Sequence, residues 1–272
     1  MVTVDRKYAS KACGRHDLEE VIDQVWNDTL KEKPYLFNQS KFRFSKATYD
    51  KTCHMMLGLT NYKAYVGSNL GPKWKLFYEE GMKIGDPDAY FGNPLGNQVA
   101  IVLKDGKHVI MNRSYQVAES QGKLTAVGGH PEPSELHIES YEDAAKIPSS
   151  VLTNELFESM RREVHEETNI PLDLISEMYM TGVIGSNATH GRQVQVFCCF
   201  VPLESEQVRG YYRKGPEDQY ESLGINFMTL EEIVEIMNTT PDRFCPESRA
   251  LYTALLQSLD AYYKVKDSIF AA

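Results

Sequence analysis

The sequence predicts a mixed α/β sandwich preceded by a second, N-terminal lobe. Three observations predict it. Two apolar runs flank an Asp-Gly pair at Asp105-Gly106, an acidic amphipathic segment covers about 150–169, and further strand patterns alternate with helical ones from about 178 to 266. Strands, one central helix, more strands and closing helices are the order expected of a sheet covered by helices. At 272 residues the chain is long enough for a core domain with an added lobe.

Taken in order, residues 17–32 place Leu18, Val21, Ile22, Val25 and Trp26 at helical spacing, with Asp17 as N-cap and Pro34 as the stop. Two shorter helices are predicted around 60–67 and 72–80. Residues 1–95 therefore read as a mostly helical N-terminal lobe, and the turn-rich NPLGN at 93–97 marks the junction to a domain at 96–272. There, QVAIVLKDGKHVIMNRSYQVAE reads as a hairpin turning at Asp105-Gly106. KLTAVGG adds a strand ending in Gly128-Gly129. The polar, Pro-containing stretch at about 130–150 reads as an exposed insertion. A long helix over 150–169 follows, capped by Ser149 or Ser150. Strands near 178–186 and 194–202, a helix near 205–213, a strand near 224–228 and a helix near 230–237 come next. One final helix over about 247–266 closes the chain.

Composition excludes several classes. The formal net charge of −9 argues against a broad basic face for nucleic acid. Five cysteines, an odd number with no CxxC pair, argue against a disulfide framework or a zinc site and for a reducing compartment. Cys198 and Cys199 sit in an apolar run and read as buried free thiols. The N-terminus has no apolar leader, and no run reaches the ~20 apolar residues needed to span a bilayer. The expectation is a cytoplasmic or nucleocytoplasmic protein without membrane or nucleic-acid partners, a monomer or weak homodimer.

The chemistry concentrates in RREVHEETNI, residues 161–170. Glu163, Glu166 and Glu167 share one side of a helix, within an arc of roughly 100°. Leu156, Met160 and Val164 form an apolar stripe beside that arc. Three like charges at this spacing destabilise a helix slightly, and a cation reverses the effect. Mg²⁺ and Mn²⁺ are hard ions that favour clustered carboxylate oxygens. On spacing alone a solvated acidic face is the competing reading.

The surrounding residues resemble the Nudix signature, in which a Gly, five residues, a Glu and seven residues precede R-E-U-x-E-E-x-G-U. Residues 162–170 match every fixed position of the last nine except the Gly, which is Asn169. Asn is the common substitute where a helix end turns left-handed. The excess of roughly 19 residues between Gly129 and Glu163 over the signature's spacing is the insertion. The signature's first Glu falls at Asn154, with Glu155 beside it. Together with GGHPEP (128–133), ELF (155–157), PYLFNQSKFRF (34–44), LGLTNY (57–62), RSYQVAE (113–119), SEQVR (205–209) and GPEDQYESLGINF (215–227), this resembles the UDP-glucose/UDP-galactose pyrophosphatases over nearly the whole chain.

That resemblance implies a Nudix-type α/β/α sandwich that hydrolyses a UDP-sugar to UMP and a sugar 1-phosphate, with Mg²⁺ or Mn²⁺. It implies metal binding by Glu163 and Glu167, with Glu166 third. Glu163, or a loop acid such as Glu217 or Glu221, would activate water. Phe37 and Tyr62 would stack on uracil or line its pocket, core packing being their alternative. Arg113 fits a phosphate clamp, with Ala118 on the same segment. His130 and Glu132 can reach ribose or sugar hydroxyls. Thr125 stands where the family can carry an acid, and Ser248, opening the last helix, is either a substrate contact or a helix cap. Turnover of CoA, ADP-ribose or a dinucleoside polyphosphate, and a non-catalytic nucleotide-sugar sensor, are the competing functions, because specificity lies in loops rather than in the carboxylate helix.

Overall fold

In the computed structural model, which describes residues 1–12, 14–115, 120–186, 189–216 and 222–270, strands and helices follow one another along the whole chain. In order they are β1 (Val2–Val4), α1 (His16–Glu32), β2 (Ser40–Tyr49), β3 (Cys53–Asn61), α2 (Tyr62–Ser68), α3 (Trp74–Lys83), β4 (Gly96–Leu103), β5 (His108–Arg113), β6 (Leu124–Thr125), β7 (Val127–Gly129), α4 (Tyr141–Ala144), α5 (Ser149–Thr168), β8 (Tyr179–Ser186), β9 (Arg192–Val201), α6 (Ser205–Tyr212), β10 (Ser222–Met228), α7 (Leu230–Thr239), α8 (Pro246–Gln257) and α9 (Leu259–Phe270). They divide into two units. The first is Met1–Gly96 with His130–Leu156 and Gly185–Gln193; the second is Asn97–Gly129 with Phe157–Ile184 and Val194–Ala272.

The second unit is built on strands whose successive side chains point to opposite faces. Val99, Ile101 and Leu103 of β4, Val109 and Met111 of β5 and Phe197, Cys199 and Val201 of β9 pack with Met160 and Val164 of α5 and Val208 of α6. The intervening residues, Ala100, Val102, Ile110, Val196, Cys198 and Phe200, pack with Ile233 of α7, Leu251, Tyr252 and Leu255 of α8 and Tyr262 of α9. Helices thus cover both faces, so β4 is buried at every position. Each such aliphatic side chain contributes about 1.5–3 kcal/mol by leaving water. The strand order is β10-β5-β4-β9-β8, with β6 on β5 and β7 on β4. The Asp105-Gly106 turn forms as expected: Leu103 N–H donates to the Lys107 carbonyl at 2.8 Å and Gly106 N–H to the Leu103 carbonyl at 2.9 Å.

Two further expectations in this unit hold and one is corrected. Asn169 ends α5 in the left-handed conformation, with φ of 60° and its N–H on the His165 carbonyl at 2.7 Å. Cys198 and Cys199 are buried free thiols, and burial pushes the Cys198 thiol up to about 12. The single closing helix is instead two. α8 stops at Gln257, where the Ser258 hydroxyl donates to the Ala254 and Leu255 carbonyls, and α9 restarts at Leu259.

His108 lies fully buried in the second face, edge-on to Tyr252 (centroids 5.4 Å apart) and stacked near Tyr262 at 6.3 Å. Burial, with a smaller push from Lys266 opposed by Glu231, lowers its pKa from 6.5 to about 4. Between those two values the unfolded chain takes up a proton that the folded chain does not. Stability attributable to His108 is therefore fully present above pH 6.5 and lost as pH falls towards 4, by roughly 3 kcal/mol. We expect His108→Phe to be less sensitive than wild type between pH 6.5 and 4.5 in urea unfolding; parallel pH profiles would refute this.

The first unit contains a three-stranded sheet, order β1-β3-β2, that the sequence pattern does not predict. β1 runs parallel and β2 antiparallel to β3. Its strands escape a pattern reading because they bury cations. Arg43 is only 3% exposed, and its guanidinium donates to three carbonyls: Phe91 at 3.1 Å, Tyr8 at 3.0 Å and Asp88 at 2.7 Å. α1, α2 and α3 lie close to the expected helices, with Leu18, Ile22, Phe77 and Phe91 in one core cluster.

Three further details differ from expectation. Asp17 does not cap α1; Arg15 is the N-cap, and its guanidinium holds the Asp17 carboxylate at 2.6 and 2.9 Å. Ser149 is the first residue of α5, and its hydroxyl is spent on Val2, donating to its carbonyl at 2.6 Å. The stretch 130–150 is exposed only in part. Ile138 and Ala144 are buried, and the Tyr141 hydroxyl accepts from Leu59 N–H at 2.8 Å. No helix among the described residues is long and apolar enough to cross a membrane.

Candidate active site

In the second unit the apolar stripe of α5 is buried through Met160 and Val164, which turns the neighbouring edge of the helix toward the end of β7. β7 ends in Gly128-Gly129, paired antiparallel to Gln98 and Asn97 of β4. Close approach explains both glycines, by backbone at Gly128 and by a carboxylate at Gly129. A Cβ on Gly128 would lie 2.4 Å from the Asn97 carbonyl oxygen, and one on Gly129 would lie 1.7 Å from Glu163 Oε1. The Glu163 carboxylate therefore rests against the bare Cα of Gly129. The Gly128 N–H donates to Glu167 Oε1 at 3.1 Å, and Glu167 is only 5% exposed. One glycine pair thus gathers two carboxylates a single helical turn apart. Glu166 is half-buried on the same helix, as is Arg162.

Among the described residues no three His, Cys, Asp or Glu side chains are already drawn together as a metal nest. The donors along α5 are nonetheless all hard oxygens, and the glycine cradle leaves Glu163 room that any Cβ would fill. Two carboxylates held one turn apart repel, and a hard divalent cation is the counter-charge that suits them. The residues fit such an ion.

Other residues expected at the site fall into separate clusters. Arg113 ends β5, half-buried, with its N–H on the Lys123 carbonyl at 2.9 Å. Thr125 and Ser248 come together in a buried polar knot. Their hydroxyls lie 3.2 Å apart, Ala126 N–H donates to Ser248 Oγ at 2.9 Å, and Ser248 Oγ donates to Gln98 Oε1 at 3.1 Å. Ser248 is fully buried and does not cap α8, whose N-cap is Cys245. Ala118, Glu217 and Glu221 lie outside the described residues.

In the first unit His130 and Glu132 each meet a cation that the sequence did not point to. Glu132 is ion-paired to Lys41 and also accepts from Gln39, both on or next to β2. His130 Nε2 lies 3.3 Å from Arg192 Nη1, and the same Nη1 donates to the Tyr65 hydroxyl at 3.1 Å. Tyr62 stands edge-on to Trp26 at 6.0 Å and 6.3 Å from Tyr65. Phe37 is 70% exposed. Nothing in the local sequence marks Lys41 or Arg192, because a cation beside Phe42 or Gln193 reads as the solvent face of a strand. Only the fold shows that both are buried.

No family model matches the chain. The mouse uridine diphosphate glucose pyrophosphatase NUDT22 is 31% identical over 238 residues, which span 85% of this chain and 77% of that protein. The human protein of the same name is 31% identical over 239 residues, 85% of this chain and 79% of its own length. Nudix hydrolase 9 of Arabidopsis thaliana is 29% identical over 276 residues, covering 95% of this chain and 87% of that protein. With the carboxylates of the signature gathered on a glycine pair and identity sustained over most of both chains, the protein belongs to the Nudix hydrolases, in the family of the NUDT22 uridine diphosphate glucose pyrophosphatases.

Proposed function

We propose that the protein hydrolyses the pyrophosphate bond of UDP-sugars, UDP-glucose and UDP-galactose among them, to UMP and a sugar 1-phosphate, with Mg²⁺ as the natural ion and Mn²⁺ as a substitute. The observation that carries this reading is the placement of Glu163 and Glu167 on Gly128-Gly129, in a family whose curated relatives are named for UDP-glucose. Glu163 and Glu167, with Glu166 as third ligand, would hold the ion. Once bound, it would supply charge neutralisation for the diphosphate and acidify a water. Gly128 N–H fixes the carboxylate plane of Glu167, and Gly129 lets Glu163 approach the strand end without steric hindrance. Glu163, or one of the loop acids Glu217 and Glu221, takes the proton from the attacking water.

Arg113 is assigned to the phosphates, His130 and Glu132 to ribose or sugar hydroxyls, and Phe37 and Tyr62 to the uracil. Ala118, Thr125 and Ser248 complete the proposed substrate contacts. A cytoplasmic or nucleocytoplasmic monomer or weak dimer completes the reading.

The test is UMP release from UDP-glucose and UDP-galactose with Mg²⁺ and with EDTA, beside CoA and ADP-ribose. Mg²⁺-dependent release from the UDP-sugars, abolished by EDTA, is the expected result. Turnover of CoA or ADP-ribose alone would replace the substrate and keep the chemistry. Tight UDP-sugar binding without turnover would make the protein a sensor.

A further inference from the structure

Lys41 and Arg192, the buried cations of the first unit that meet Glu132 and His130, are groups that neither the sequence nor the proposed chemistry accounts for, and Arg192 is the more informative. It is 9% exposed and opens β9. Its position is fixed by the chain just before it. The Thr189 carbonyl accepts from Asn69 Nδ2 at 3.0 Å, His190 Nδ1 lies 2.7 Å from the Asn69 carbonyl, and the His190 ring stacks on Trp74 at 3.8 Å. The guanidinium carbon lies 5.3 Å from the centre of the Tyr65 ring, and Nη1 reaches both the Tyr65 hydroxyl and His130 Nε2. A guanidinium held on an aromatic face and by a buried hydroxyl has few other orientations.

Arginine has donors only. The Nη1–His130 hydrogen bond therefore makes Nε2 the acceptor and leaves the ring proton on Nδ1. We propose that Arg192 is a positioning residue that holds His130 in the Nδ1–H tautomer and in one ring orientation, and that the substrate-binding role proposed for His130 depends on that orientation. Two residues on, Glu132 accepts from Lys41 and Gln39. A site built on paired polar groups discriminates strongly against a ligand lacking its partner.

This inference rests on the proposed UDP-sugar reading for its kinetic part, and the experiment separates the two. In protein labelled with ¹⁵N-histidine, the long-range ¹H–¹⁵N correlation of the imidazole that disappears in His130→Gln should show a protonated Nδ1 and an unprotonated Nε2. In Arg192→Leu and Arg192→Lys that population should fall in favour of the Nε2–H form. For UDP-glucose, Arg192→Leu should raise KM about tenfold with kcat within about threefold, and should add nothing in a His130→Ala background. A wild-type His130 protonated on Nε2 overturns the proposal, as does a full, multiplicative Arg192 effect in the absence of His130. Should UDP-glucose not be a substrate, the kinetic arm falls with that reading, while the tautomer still decides the role of Arg192. Should Arg192→Leu fail to fold, wild type and Arg192→Lys carry both measurements.

Discussion

Replacing Glu163 by Gln is expected to lower UMP release from UDP-glucose by at least ~100-fold, a loss of about 2.7 kcal/mol or more of transition-state stabilisation. The substitution keeps the shape of a side chain that rests on Gly129 and removes one charge. Glu167→Gln should fall by a similar factor, although it retains an oxygen to accept from Gly128 N–H. A second readout separates loss of a ligand from loss of fold. Without metal, removing a like charge at i,i+4 should leave the protein as stable as wild type or a few tenths of a kcal/mol more so. Added Mg²⁺ should then raise the Tm of wild type and not of the variants. Near-normal turnover of Glu163→Gln would remove that residue from the chemistry.

Alanine at the two neighbouring glycines should separate catalysis from folding. At Gly129 the new methyl would collide with the Glu163 carboxylate at 1.7 Å, and that carboxylate is the end of a flexible side chain which can swing aside. Stability should change little, while the displaced Glu163 carboxylate costs ~100-fold in kcat, since an ångström-scale misplacement is worth that much. At Gly128 the methyl would meet the Asn97 carbonyl oxygen at 2.4 Å, part of the β4 backbone, which cannot yield without disturbing the sheet. Gly128→Ala should lose about 1–3 kcal/mol in urea unfolding. Equal effects of the two substitutions on kcat and on stability would contradict this placement of Glu163.

How much of this was legible follows from which interactions are local. The α5 carboxylates, the left-handed end at Asn169 and the hairpin at Asp105-Gly106 depend on residues within a few positions of one another; local pattern predicts the first and the last, and the resemblance to the signature predicts the helix end at Asn169. The alternating faces of β4 and β9 are equally local, because both faces of the sheet are covered and the strands read as apolar runs. The split of the last helix at Ser258 and the Asp17–Arg15 pairing were misread because a short polar side chain has several local partners of similar strength.

The sheet of the first unit and its cations were not legible for a different reason. Lys41, Arg43 and Arg192 are buried against partners distant in sequence: Glu132, the Tyr8, Asp88 and Phe91 carbonyls, and Tyr65 with His130. A charge is read from sequence as solvent-facing because burying it unpaired is costly, and only tertiary structure shows that each is paired. In the stretch 130–150, which is exposed in part as its polar residues suggest, the burial of Ile138 and Ala144 was hidden on the same grounds. The sequence by itself determined that Glu163, Glu166 and Glu167 share one side of a helix, because helical periodicity sets that, and its resemblance to the Nudix signature pointed to the family. Tertiary structure alone decided that Gly129 receives Glu163, that Thr125 meets Ser248, and that His130 answers to Arg192, since each joins segments that only the folded chain brings within bonding distance.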